Sequence, residues 1–131
     1  MKWLRAAYPG SAAIKNYYAY FLVLQGRELG KALRLSVETL QEEAGNIAFI
    51  DTYGYILFKL GRSAESIKYL RKAYEAHPLE EDIIDHIVEY YRLKKEYKKI
   101  IEIYKRAIEA GVDFEDRLKE KLAGIEKLFL L

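Results

Sequence analysis

A set of residue types recurs every 34 positions through the middle of this chain, and that spacing constrains the fold more than any single residue does. Tyr53, Leu57, Gly61, Leu70, Ala73 and Pro78 align with Ile87, Tyr91, Lys95, Tyr104, Ala107 and Val112. Upstream, Tyr18, Ala19, Leu22 and Gly26 precede Tyr53, Gly54, Leu57 and Gly61 by 35 residues, whereas Ala32, Ser36 and Thr39 precede Ser66, Leu70 and Ala73 by 34. One additional residue in Gly26-Arg27-Glu28-Leu29-Gly30 accounts for the difference. A period of this length signals a stacked array in which each unit buries its apolar face only against its neighbours. Such arrays act by displaying a surface, so the spacing points to binding and leaves the partner unnamed.

Within the period, apolar positions recur at helical spacing and no segment sustains the two-residue alternation of a strand. Turn signals divide the chain into helices expected at 12–25, 30–42, 47–60, 65–76 (with Ser63 just ahead), 80–93 and 96–110. A last helix, capped by Asp113, is expected to run to about Phe129. Gly61 and Gly111 are read as left-handed terminators and Gly26 as the end of the first helix. Pro78 pushes His77 out of the helical region. Short turns between long helices make neighbours antiparallel.

Gly54 falls inside a helix, where it costs about 1 kcal/mol relative to alanine. That cost is tolerated where a partner backbone must approach closely, and Ala73 and Ala107 keep the second helices small for the same reason. In the last helix Leu118, Leu122, Ile125 and Phe129 form one stripe, while Arg117, Lys119, Glu120, Lys121, Glu126 and Lys127 cover the remainder, the pattern of an end cap.

Composition narrows the function classes. The chain has 131 residues, one domain's worth, and 22 basic against 20 acidic residues give a net charge of +2, which argues against a dedicated nucleic-acid binder. The absence of cysteine excludes a disulfide frame and a thiolate zinc site, and leaves the compartment open. The longest uncharged apolar run, Asn16 to Gly26, is too short to span a bilayer, so no direct membrane insertion is expected. Met1-Lys2-Trp3-Leu4-Arg5-Ala6-Ala7-Tyr8-Pro9 lacks a signal-peptide core and reads like the end of a preceding repeat's second helix, by its match to Ala73-Tyr74-Glu75-Ala76-His77-Pro78. A chain opening in this way is expected to be part of a longer protein or a truncated array. Its uncovered first end is a candidate surface for homo-oligomer formation.

A bulky anchor and a small residue in mid-helix, a turn glycine, small residues on the second helix and a closing proline resemble tetratricopeptide repeats. The resemblance covers Ala12 to about Gly111 and the half helix before it. It is similar in particular to carboxy-terminal repeats of bacterial, often envelope-associated, members. The stretches that carry this likeness are Asn16-Tyr17-Tyr18-Ala19-Tyr20-Phe21-Leu22, then Asp51-Thr52-Tyr53-Gly54-Tyr55-Ile56-Leu57-Phe58-Lys59-Leu60-Gly61-Arg62. Tyr69-Leu70-Arg71-Lys72-Ala73-Tyr74 and Glu81-Asp82-Ile83-Ile84-Asp85-His86-Ile87-Val88-Glu89 complete it.

The resemblance implies an all-α, right-handed superhelix. It divides into repeats at 12–44, 47–80 and 81–112, a capping helix at 113–131, and the end of a preceding helix at 1–9. The third unit departs most: Val88 stands at the Gly54 position, Lys95 replaces the turn glycine and Val112 the proline.

The family's first helices line a concave groove for a peptide or partner helix. Carried over by position, that face comprises Asn16, Tyr17, Tyr20 and Val23; Asp51, Thr52, Tyr55 and Phe58; and Asp85, His86, Glu89 and Arg92. Relatives that clamp a terminal carboxylate place basic residues and asparagine where this chain has Asp51, Tyr55, Asp85 and Glu89, so an acidic tail is expected to be repelled. An aromatic floor with acidic flanks suits a partner with apolar and basic side chains. Tyr17, Tyr20, Tyr55 and Phe58 are expected on a different helix face from the inward Tyr18, Leu22, Tyr53 and Leu57.

Two clusters are candidates for chemistry. Asp82, Asp85, His86 and Glu89 contain an i, i+3 histidine–carboxylate pair of metal-binding type, but no second histidine is near in sequence, and helix-surface carboxylates explain the group as well. Lys94-Lys95-Glu96-Tyr97-Lys98-Lys99 reads as a solvated turn, lacking the stacking platform of a single-strand binder. No nucleophile elbow, phosphate-cradling loop or serine–histidine–acid set is visible, and neither cofactor nor metal is expected. The expected function is a non-catalytic scaffold for a peptide or protein. The alternatives are a regulatory or substrate-presenting segment of a larger enzyme, or a self-associating structural module.

Overall fold

The computed structural model describes residues 11–130, in which there are seven α-helices and no strand. The helices are α1 (Ala12–Gln25), α2 (Leu29–Glu42), α3 (Ile47–Lys59), α4 (Ser63–Ala76), α5 (Glu81–Leu93), α6 (Tyr97–Glu109) and α7 (Glu115–Leu130). The expected repeat is present in the helix starts. α3 and α5 open at Ile47 and Glu81, and α4 and α6 at Ser63 and Tyr97, 34 residues apart in both cases; α7 opens 34 residues after α5. The reading of Met1–Pro9 as the end of a preceding helix lies outside the described residues.

Local chemistry sets the boundaries. Ser11 and Asn46 each accept a hydrogen bond from the third residue onward, Ile14 N and Phe49 N, both at 3.2 Å, which satisfies one of the unpaired amides at the start of α1 and α3. Gly26, Gly61 and Gly111 close α1, α3 and α6 with φ of 65°, 81° and 75°. In the third turn Lys95 takes the same left-handed conformation, φ 58°, although it has a side chain. The additional residue of the first turn is absorbed by Glu28, φ 49°. Asp113 does not cap α7: a turn intervenes, Glu115 N bonds Val112 O, and the helix begins at Glu115. Burial of Phe114 accounts for the delay, since the chain turns its ring inward before the helix starts.

The chain forms two compact units, Met1–Ala73 and Tyr74–Leu131. In the first, α1 packs against α2, and α3 packs against both. Tyr18, Ala19, Leu22, Ala32, Leu35, Phe49, Ile50, Ile56, Leu57, Leu70 and Ala73 are its buried apolar residues outside the candidate face. The close approach expected at Gly54 is present. A Cβ built there would lie 3.0 Å from Tyr69 Cβ and 3.1 Å from Leu70 N, so α4 rests on the α3 backbone.

In the second unit α6 packs against α5 and α7 around Ile84, Ile87, Ile100, Tyr104, Ala107, Leu118 and Ile125. The α7 stripe is therefore buried at Leu118 and Ile125. It is not buried at Phe129, which is exposed beside Leu128 and Leu130 where the helix runs beyond its cover.

Candidate interaction surface

The twelve residues of the expected groove face separate into three environments. Tyr17 and Arg92 are exposed, and Asn16, Tyr20, Phe58, Asp85 and Glu89 are half-buried. Val23, Asp51, Thr52, Tyr55 and His86 expose only 2 to 6% of their surface. The expectation that these five stand at the surface is corrected, and the reason is the number of neighbours. α3 is packed upon by α1, α2 and α4, so its buried arc is far wider than the single stripe that Leu57 and Tyr53 suggested. Eight of the thirteen α3 residues are buried.

In the first unit the aromatic residues nonetheless come together. The rings of Tyr20 and Tyr55 are 6.5 Å apart, and Tyr55 and Phe58 stack at 6.5 Å with an 18° interplanar angle. Lys59 Nζ lies 5.2 Å from the Tyr55 ring centre and 5.9 Å from that of Phe58, placing a cation over both faces. Beside this row is a shallow cavity of about 290 Å³, lined by Val23, Leu24, Gln25, Gly26, Leu29, Tyr55 and Lys59. Its walls combine the apolar Val23, Leu24, Leu29 and Tyr55 with polar surface from Gln25, the Gly26 backbone and the Lys59 ammonium. Tyr53, expected to point inward, is half-buried and meets Tyr69 edge to face at 4.8 Å.

In the second unit a cavity of about 260 Å³ is lined by Asp85, Val88, Glu89, Arg92, Tyr104 and Lys121. Asp85 is bridged by Lys121 of α7 at 3.5 Å, and its neighbour Glu81 is bridged by Arg117. Burial raises the Asp85 carboxyl above the usual carboxylate range, and Lys121 opposes the shift. Burial likewise raises the Tyr104 phenol, with Arg92 opposing. The expected acidic flank is thus revised: Asp51 is interior, and Asp85 is engaged by the chain's own lysine. His86 is interior too, and no group of three His, Asp or Glu side chains among the described residues is disposed to hold a metal ion.

Sequence reasoning missed the cations that cover the tyrosines. Lys31 lies 5.1 Å from the Tyr18 ring and donates to its hydroxyl at 3.2 Å. Lys68 covers Tyr69, Lys94 covers Tyr90, Lys99 covers Tyr91 and Arg106 covers Tyr74, all at 5.1 to 6.0 Å. The available signal was the placement of a lysine four residues from an aromatic, as in Lys59 after Tyr55 and Lys94 after Tyr90. The lysine run at 94–99 is therefore partly a set of ring covers, with Lys99 also bridging Glu96 at 3.4 Å.

Among the described residues no helix is long and apolar enough to cross a membrane. Helical hairpins recurring at a fixed register, with a left-handed stop after each first helix and a small residue at each close contact, define a helical-repeat protein. Residues 51–78 match the tetratricopeptide repeat family model, from Asp51 in α3 through α4 to Pro78, and together with the helical-repeat architecture this supports a protein of tetratricopeptide-repeat type. No curated protein matches the chain. Repeats of this family generally mediate interactions between proteins.

Proposed function

We propose that this chain is a non-catalytic interaction module that holds a peptide or partner protein, with the first-unit surface around Tyr20, Phe58 and Lys59 as a principal contact. The observation that carries this reading is the row Tyr20–Tyr55–Phe58 beside the 290 Å³ cavity. Aromatic side chains with one edge wet and one dry are the usual anchors of protein recognition. The cavity walls, apolar at Leu24, Leu29 and Tyr55 and polar at Gln25 and Lys59, suit an amphipathic side chain of the partner, which would enter beneath the Lys59 stem. In the second unit Glu89, Arg92 and Tyr104 offer a polar counterpart of mixed charge, suited to orienting a bound segment. Asp51, Thr52, Tyr55 and His86 support these surfaces from beneath.

The test is a photocrosslinking residue placed at Lys59, with Arg71, exposed on α4, as the control position. Partner adducts should form from position 59 and not from 71, and Leu24→Asp should reduce them without changing the melting temperature. Equal labelling from both positions, or capture indifferent to Leu24→Asp, refutes the assignment.

A further inference from the structure

The turn between α5 and α6, within the second unit, departs from three local preferences at once. The helices on either side of α6 open on acids, Glu81 and Asp82 in α5 and Glu115 and Asp116 in α7, where a carboxylate suits the positive end of the helix dipole. α6 opens instead on Tyr97, Lys98 and Lys99, with no acid in its first turn and no side-chain cap from Glu96. Lys95 holds the left-handed conformation that Gly61 and Gly111 take in other turns. Leu93, the last residue of α5, leaves 61% of its surface in solvent. None of the three serves the fold.

The positive charge of this turn is only partly cancelled. Lys94 lies over the Tyr90 ring at 5.7 Å and Lys99 over the Tyr91 ring at 5.1 Å, and a ring orients an ammonium group without neutralising it. Lys95 and Lys98 are exposed. Glu96, the one acid from 93 to 99, is bridged by Lys99 at 3.4 Å. Arg92 turns to the Tyr104 phenol and stays out of this surface. The acids of the unit gather at the far end of α5. There the Arg117–Glu81 contact brings Asp113, Glu115 and Asp116 beside Glu80, Glu81 and Asp82. The unit is therefore polarised, with a cationic and an anionic end separated by the length of α5, about 20 Å.

We propose that the α5–α6 turn docks on an anionic lipid bilayer, with Lys94, Lys95, Lys98 and Lys99 at the headgroup anions and Leu93 entering the boundary beneath them. A bilayer surface offers both matches the turn needs, negative charge and an apolar layer directly under it. A nucleic acid offers phosphate but nothing apolar at that depth for Leu93. No helix enters the membrane; the contact is with its surface. Each lysine brought near such a surface strengthens binding roughly fivefold, so the contact is reversible and weakened by salt. The acidic end is repelled by the same surface, which orients the unit turn-first.

Flotation of the full chain with large vesicles tests this. The chain should bind vesicles of phosphatidylcholine mixed with phosphatidylserine, not vesicles of phosphatidylcholine alone, and added sodium chloride should release it. Lys95→Glu combined with Lys98→Glu should weaken that binding about tenfold or more. Both residues are exposed, and Glu28 already holds the left-handed conformation in this fold. Lys105→Glu combined with Lys119→Glu makes the same charge change at exposed positions on α6 and α7 and should alter binding less than about twofold. Because the chain lacks cysteine, Leu93→Cys can carry a single environment-sensitive dye, whose emission should shift to the blue on the mixed vesicles. The same dye on Lys105→Cys should not shift. Circular dichroism checks that each variant keeps its helices, and if the Lys95–Lys98 pair of changes loses them, the dye decides alone. No binding, equal binding to both vesicle types, an equal loss from the Lys105–Lys119 changes, an unshifted dye at position 93, or capture of an oligonucleotide in place of vesicles each overturns the proposal.

Discussion

Arg117 and Glu81, 36 residues apart in sequence, hold each other in a two-pronged contact. Guanidinium Nε and Nη2 donate to the carboxylate oxygens at 3.1 and 2.8 Å. One turn further along both helices, Lys121 and Asp85 repeat the contact at 3.5 Å with the same separation. The two rungs join α5 to α7 on the solvent side. Exposed pairs of this kind contribute modestly and are screened by salt. Arg117→Ala should lower the unfolding midpoint slightly in dilute buffer, and the difference from wild type should fade as sodium chloride is added. A difference that is large and indifferent to salt would mean that Arg117 acts chiefly through its guanidinium lying over the Phe114 ring, 5.9 Å from its centre, instead of through the pair with Glu81.

The pH dependence of the second rung has a definite sign. The folded-state pKa of Asp85 is raised, chiefly by burial. Its ionisation therefore opposes folding: the stability linked to its proton is fully present below the unfolded pKa and is lost as pH rises through the folded value. Asp85→Asn should be at least as stable as wild type at neutral pH, with the advantage shrinking in acid. Thermal unfolding over a pH series reads this directly. A variant less stable at neutral pH than in acid, relative to wild type, would show that Lys121 outweighs burial.

Gly54 presents a packing test. With Tyr69 Cβ and Leu70 N within 3.1 Å of any new Cβ, a larger residue must push α4 off α3. Gly54→Leu should cost about 1–3 kcal/mol by overpacking, measured by urea unfolding. Gly54→Ala should cost less, because it recovers about 1 kcal/mol of helix propensity.

Lys95 offers the opposite change. An L-residue in the left-handed region is strained by roughly 1–2 kcal/mol, which glycine avoids at some cost in chain entropy. Lys95→Gly should raise stability by about 0.5–1 kcal/mol, as restoring favourable backbone conformers does elsewhere. Equilibrium denaturation with an unchanged slope would establish it.

Tyr55→Ala separates floor from contact. A buried aromatic truncated to alanine costs about 3–5 kcal/mol, so this variant should melt markedly earlier. His86→Ala should also destabilise, whereas Arg92→Ala, exposed on α5, should leave the melting curve in place.

Helix positions were legible because glycine, proline and N-cap residues act locally. Gly26, Gly61 and Gly111 fix ends without reference to the remainder of the fold, whereas the cap read at Asp113 failed because burial of Phe114 delays the helix. The small-residue contacts at Gly54 and Ala73 were legible because only close approach explains them. The surface was less so. Asp51 and Thr52 read as exposed polar residues, yet α3 is enclosed by three neighbours, and periodicity within one helix records only its own stripe. Lys95 shows a related limit, since residue type predicts a break in the turn where tertiary packing imposes the glycine-like conformation regardless.

The ammonium groups over Tyr18, Tyr55, Tyr69, Tyr90 and Tyr91 make wettability a property of lysines more than of rings. Acylating those amines would remove the electrostatic half of each pairing and bare the aromatic faces with no change in the backbone. Neutralising those nitrogens is therefore expected to make so tyrosine-rich a chain clump, which light scattering after acylation would register.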